Sequence, residues 1–288
     1  MTLKQLDSEN DIPVGSKPNL FDWEADPAPP TGGRGSHSIN PTEVFDGILE
    51  EYRSCWGWLG AQIAEEVILS MIGVEATKSN KRIPIRLRRH LLFAWPPGWS
   101  KTAMLRPVRA IFGDRANWIT TISDAVMRGS VSEDNMFIPP EVLVSDIMLI
   151  PDLVTLLTGS TAEGVAGQLL PLLEEGFVRV ALVKLGTKSA AEQIRTQMRD
   201  HEITIENGRM AYKTNAIMMA ATHERPRFIA SNALRDRFVI VVPEHELDDN
   251  LLRSITTINI ENEFKSHAED MHAALYKIRE YCQDLDLE

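Results

Sequence analysis

Apolar residues in this chain form short, nearly continuous runs at residues 83–95 (IPIRLRRHLLFAW), 141–150 (EVLVSDIMLI), 215–222 (NAIMMAAT) and 237–242 (RFVIVV). Runs of this length, closed by proline or turn residues, predict strands covered on both faces, as in a parallel sheet. The segments between them carry helical spacing. Asn40 precedes Pro41, and Val44, Ile48, Leu49 and Tyr52 follow on one face, which predicts a capped helix start. Residues 56–72, 101–112, 167–175 and most of 244–288 also read as helix. Strands alternating with helices predict an α/β protein with a largely parallel central sheet. One hairpin interrupts the alternation at residues 203–213, with Asn207-Gly208 at a turn whose central residues must accept positive φ.

Residues 1–40 differ in texture. They are rich in Pro, Gly, Ser and Asp and hold too few apolar residues for a core, so they read as a flexible arm whose apolar island, Leu20-Phe21-Asp22-Trp23, could dock a protein partner. The remainder divides into an α/β domain at 41–243 and a helical lid subdomain at 244–288. No run reaches the roughly 20 apolar residues of a membrane helix and the first residues are acidic, which predicts a cytoplasmic protein without a membrane partner. Cys55 and Cys282 stand far apart, with no disulfide or zinc spacing. The net charge of -11 excludes a protein that coats nucleic acid with its whole surface, but not one with a local basic patch.

The chemistry concentrates after the first strand. Trp95-Pro96-Pro97-Gly98-Trp99-Ser100-Lys101-Thr102 is an altered form of the phosphate loop GxxxxGK[ST]. In that loop backbone N–H groups surround phosphates, lysine reaches the β and γ phosphates, and the hydroxyl holds magnesium. Pro97, Gly98, Trp99, Ser100, Lys101 and Thr102 are the candidate nucleotide-binding residues; the alternative is an ordinary strand-to-helix turn. A second motif, several apolar residues ending in an aspartate that holds magnesium, fits Val142-Leu143-Val144-Ser145-Asp146, which makes Thr102 and Asp146 the candidate metal ligands. The next residue is Ile147 where a catalytic glutamate is usual; Asp152 or Glu141 could supply an acid instead, and a rival alignment places the acid pair at Glu174-Glu175 after QLLPLL, a stretch that reads more naturally as helix. Thr222 and His223 close the third apolar run, where a polar group can orient water, although a plain loop histidine looks the same. Arg235 and Arg237 precede the last strand, where an arginine can reach a neighbouring subunit's nucleotide or simply pair with Asp236.

In this order the pieces resemble the AAA+ ATPases over residues 45–288. The succession QIRTQMRDHEITIENGRMAYKTNAIMMAATHERP is similar to the helix-2-insert group, which includes MCM helicases and MoxR-type ATPases. The resemblance implies a three-layer P-loop core with a small C-terminal helical lid, ATP and magnesium as cofactors, and self-assembly into a ring or filament. It makes Arg237 a trans-acting finger, groups it with Thr222 and His223 as catalytic candidates, and turns Arg209 on the hairpin toward DNA. It also makes residues 160–186 helix 2 with its insertion. Both loop glycines and the second acid depart from the pattern, and Arg253 is a candidate for a further sensor. The functions implied are a DNA helicase or remodelling ATPase, a MoxR-like chaperone acting on protein, or a nucleotide-dependent scaffold with little hydrolysis.

Overall fold

The structure is a computed structural model that describes residues 39–79, 88–96, 98, 101–120, 126–127, 129–131, 137–157, 162–181, 192, 194–196, 198, 202–223, 232–242 and 264–283. All of them fall in one compact unit, His37–Glu288. Residues 1–38 of the segment expected to be an arm (1–40), Pro97, Trp99, Ser100 and Arg253 lie outside the described residues.

Five strands form the central sheet: β1 (His90–Ala94), β2 (Ala116–Trp118), β5 (Ile147–Ile150), β9 (Ile217–Thr222) and β10 (Phe238–Val241). They lie in the order β10-β1-β9-β5-β2, and every neighbouring pair is parallel. This is the α/β core expected from the sequence. Successive side chains on a strand point to opposite faces, and here they feed two cores. Leu91, Phe93, Ile147, Leu149, Ile217, Met219 and Ala221 join helices α1 (Pro41–Ser79), α2 (Lys101–Phe112) and α7 (Ala268–Gln283). Leu92, Met148, Ile150, Met218 and Ala220 join the opposite cluster. There they meet Leu169, Leu172 and Leu173 of α5 (Ala162–Glu175) and the inner face of a small antiparallel sheet. Central strands covered on both sides explain why they read as unbroken apolar runs.

The small sheet has the order β6-β8-β7, from β6 (Phe177–Ala181), β7 (Ile203–Glu206) and β8 (Arg209–Lys213). Its hairpin is the one expected: Asn207 (φ 51) and Gly208 (φ 70) both take positive φ, as a two-residue primed turn requires. The side chains of Val178, Val180, Met210 and Tyr212 turn inward, and the Tyr212 hydroxyl donates to the Met127 carbonyl at 2.5 Å.

Helix α1 merges two helical segments that break at Gly57 (φ 62). It is long and apolar enough to cross a membrane, which the sequence reading did not anticipate, but half of its most apolar window is buried in this core. Tyr52 and Trp56 pack there against Phe264, with Met271 and Leu275 of α7 in the same cluster. The described part of the C-terminal segment therefore lies against α1, and His272 of α7 reaches the Ile111 carbonyl near the end of α2 at 3.0 Å.

One expectation needs correction. Residues 141–150 are not one strand: Glu141–Val144 form a short helix, α3, closed by Ser145 N–H to the Glu141 carbonyl, and β5 starts only at Ile147. A short apolar run has no period long enough to tell helix from strand. Within residues 160–186 the described part is helix α5 and strand β6, which follow β5 in the chain. The interval between β2 and β5 carries a small antiparallel pair, β3 (Ser130–Val131) with β4 (Phe137–Ile138).

Buried polar groups pin the layers together. Arg88 donates to the carbonyls of Leu172, Thr214 and Ala216 at 2.9–3.2 Å, and burial lowers its pKa to about 10. His90 Nδ1 accepts the Met218 N–H at 3.0 Å, so the ring proton sits on Nε2 and is donated to the Leu173 carbonyl, also at 3.0 Å. Burial first, then the Arg88 charge, push the His90 pKa down to about 3, against the pull of the Leu173 carbonyl. His90 is neutral in the folded chain at pH 7, whereas an unfolded histidine titrates near 6.5. The folded pKa is the lower one, so the full stabilisation is present above pH 6.5 and is lost as pH falls toward 3. The unfolding free energy should drop by about 1.4 kcal/mol per pH unit below pH 6.5 from this group alone. Urea melts from pH 7 to pH 4.5 should show that slope, and His90→Gln should flatten it at the cost of overall stability.

Candidate functional site

All five strands run the same way, so the residues that follow each strand emerge at one edge of the sheet. The register fixes which groups meet there. Ala94 lies opposite Thr222, Phe93 opposite Val241, and Ile150 opposite Ala220. Asp152, two residues beyond Ile150, is thereby level with Thr222. The chain leaves β1 toward the β2 side of the sheet and later returns to β10 on the other side, so the strand order reverses at β1. The crevice beyond the carboxyl end of a strand at such a switch point is the usual ligand site of open α/β sheets.

The loop after β1 is built by opposing demands. Trp95 stands where the usual phosphate loop has its first glycine, yet its indole is turned into the core against Phe93, with centroids 5.7 Å apart. Bulk at this position is therefore taken up by the core. Gly98 has φ +85, a left-handed conformation that favours glycine, and an added Cβ would meet nothing within 4 Å. It is needed for the path of the backbone rather than for space.

Helix α2 begins at Lys101 and has no acidic residue in its first turn. A helix N-terminus carries partial positive charge from its unpaired N–H groups, so a lysine there is unfavourable unless an anion sits with it. The ammonium folds back and donates to the carbonyls of Trp95 and Pro96, each at 2.7 Å. Partial burial lowers the Lys101 pKa from the ordinary lysine value, while the carboxylate of Asp152 acts in the other direction. Thr102 is exposed beside it.

Asp152 caps α4 (Leu153–Leu157): one carboxylate oxygen accepts from Val154 N–H at 3.2 Å, the other from the Thr155 hydroxyl at 2.6 Å. The second oxygen also lies 3.5 Å from His223 Nδ1. Thr222 is fully buried and His223 is exposed. One edge of the sheet thus gathers Lys101, Thr102, Asp152, Thr222 and His223. Asp152 was legible in the sequence as a substitute acid, and Pro151 obscured that it directly follows an apolar strand.

Asp146 is elsewhere. It precedes β5, with its N–H bonded to the Arg115 carbonyl and its own carbonyl accepting Ile217 N–H at 2.9 Å, so it lies at the opposite edge from Lys101. Its carboxylate is engaged by Lys78 at 2.5 Å and by Arg115. Arg115 also pairs with buried Glu75, which Arg279 of α7 holds at 2.6 Å. Burial would raise the Asp146 pKa, but Lys78 and Arg115 outweigh it and hold the carboxyl below its usual range. This network binds α1, β5 and α7. As a correction, Asp146 cannot share a magnesium ion with Thr102, because roughly 13 Å of strand separates the two edges.

Arg237 precedes β10 and lies at the same far edge, where Phe238 is level with His90. Its guanidinium donates to Glu174 at 2.7 Å. The length of strand β10 separates it from the edge that holds the loop of its own chain. Arg235 pairs with Asp236 at 3.6 Å. Arg209 is exposed at the hairpin, on the sheet face that also carries Arg179 and Lys213 with Glu202 and Glu206.

No family model and no curated protein matches the sequence. Among solved structures, the chain is similar to the crystal structure of a candidate ATPase from Cytophaga hutchinsonii, at 14% identity and a TM-score of 0.36. The match covers 79% of this chain and 66% of that one, just under two thirds of its length.

Proposed function

We propose that this chain is an AAA+-type nucleotide-binding protein that takes ATP and magnesium at the edge formed by Lys101, Thr102, Asp152, Thr222 and His223. The observation that carries the reading is Lys101 at the first position of α2, directly after the switch-point strand, with its ammonium resting on two loop carbonyls. A phosphate would replace those carbonyls as its partner and would satisfy the helix N-terminus. The Thr102 hydroxyl and the Asp152 carboxylate are the hard oxygen donors that magnesium prefers. Bound magnesium would neutralise phosphate charge. His223, exposed at this edge, would orient water beside the phosphates, with buried Thr222 behind it.

The residue after Asp152 is Leu153, so the second carboxylate that activates water is still missing, as it was with Asp146 followed by Ile147. This favours binding and slow turnover over rapid hydrolysis. Arg237, held away from its own loop, supports assembly into a ring or filament in which it meets the neighbour's nucleotide. Arg209, with Arg179 and Lys213, supports DNA as the substrate that the hairpin touches. The acids Glu202 and Glu206 on the same face favour the second reading, a MoxR-like protein remodeller.

In calorimetric titration, Lys101→Ala should weaken ATP binding by at least about tenfold, since a charge-assisted contact to phosphate is worth about 1.5–3 kcal/mol. Unchanged affinity would remove the nucleotide reading. Arg209→Ala should weaken binding to a DNA oligonucleotide and reduce its salt dependence by about one counterion. DNA binding that is absent in the unaltered chain, or indifferent to Arg209, would leave the protein-remodelling reading.

A further inference from the structure

The far edge of the sheet has a cleft of about 360 Å³ lined by Arg88, His90, Leu173, Glu174, Asp236 and Arg237. Arg88 and His90 are occupied by backbone groups. Asp236 faces Arg235 at 3.6 Å, and the pair that remains is Glu174 with Arg237.

Each member is oddly placed for a purely structural role. Glu174 is the penultimate residue of α5, whose last turn contains no basic residue. A helix C-terminus carries partial negative charge, so a carboxylate there is unfavourable without a cation beside it. Arg237 supplies that cation through one Nη, yet its Nε is buried and has no hydrogen-bond partner among the described residues. A guanidinium that binds an oxyanion in its preferred forked geometry would use two N–H groups together. With Glu174 at one Nη and Nε unpaired, the fork is only half used. Both side chains are partly exposed, so the pair is weak and can exchange partners.

We infer that Glu174 is a positioning residue that holds Arg237 in a resting pose, from which the phosphates of a neighbouring copy's nucleotide withdraw it during assembly. This inference rests on the ATP-dependent assembly proposed above. Glu174 thereby sets the ATP concentration at which copies associate: the carboxylate competes with phosphate for the same guanidinium, and removing its charge frees Arg237 in advance.

Light scattering of the full chain across an ATP–magnesium titration tests this, alongside calorimetric ATP binding at dilution, where only the loop of the same chain is involved. Glu174→Gln should lower the ATP concentration for half-maximal assembly by roughly twofold to fivefold, the scale of one exposed ion pair. Glu174→Asp should stay close to the unaltered chain. Arg237→Ala should raise the requirement or abolish assembly, and Glu174→Gln should add nothing in that background. The inference is overturned if Glu174→Gln is neutral or inhibitory, or if its effect persists without Arg237. If the unaltered chain binds no ATP or assembles regardless of it, the parent reading fails and this one with it. If assembly needs ATP and Arg237 but ignores Glu174, only the positioning role is lost.

Discussion

Parallel pairing of five strands is the constraint on which the rest depends. It sends whatever follows a strand to one edge and whatever precedes a strand to the other. Lys101, Asp152 and His223 follow strands β1, β5 and β9, and Thr222 ends β9, so they converge. Asp146 and Arg237 precede β5 and β10, so they are carried away from that convergence. No local feature of either residue could override this sorting, because moving one residue across the sheet would mean reversing a strand buried on both faces.

The two edges then take on different work. At one, a helix begins with lysine rather than an acid, and a glycine in a left-handed conformation shapes the approach to it. At the other, charges are mostly matched. Glu75, Arg115, Asp146, Lys78 and Arg279 form a network that ties the N-terminal and C-terminal helices to the sheet, while Arg88 and His90 tie the small antiparallel sheet and α5 to it. Rigidity at the second edge gives the first a fixed base. The Glu174–Arg237 pair departs from this pattern because one of its donors has no partner among the described residues.

Much of the fold was legible in the sequence because its signals were strong and local. The helix from Lys101 to Phe112 was read with the right ends, and the Asn207-Gly208 hairpin with the right turn, since positive φ leaves few choices of residue. Buried strands showed as apolar runs. The Asp146 assignment failed at a point where the sequence was ambiguous: EVLVSDIMLI contains two apolar tetrads with an aspartate between them, and only the tertiary structure decides that the first is helical. Trp95 looked like damage to a phosphate loop because a sequence does not say which way a side chain points. The clamps made by Arg88 and His90 join residues more than 80 positions apart, a separation at which a single sequence carries no pairing signal.

The central claim is that the edge holding Lys101 binds nucleotide with Asp152, and not Asp146, as its acid. The most direct measurement is the magnesium dependence of ATP affinity in Asp152→Asn and Asp146→Asn, each assayed at a temperature where circular dichroism shows it folded. Asp152→Asn should lose most of the gain in affinity that magnesium confers on the unaltered chain. Asp146→Asn should keep that gain while unfolding more easily, by about 3 kcal/mol for a broken buried ion pair. Loss of the magnesium effect in Asp146→Asn, with Asp152→Asn unaffected, would contradict the account.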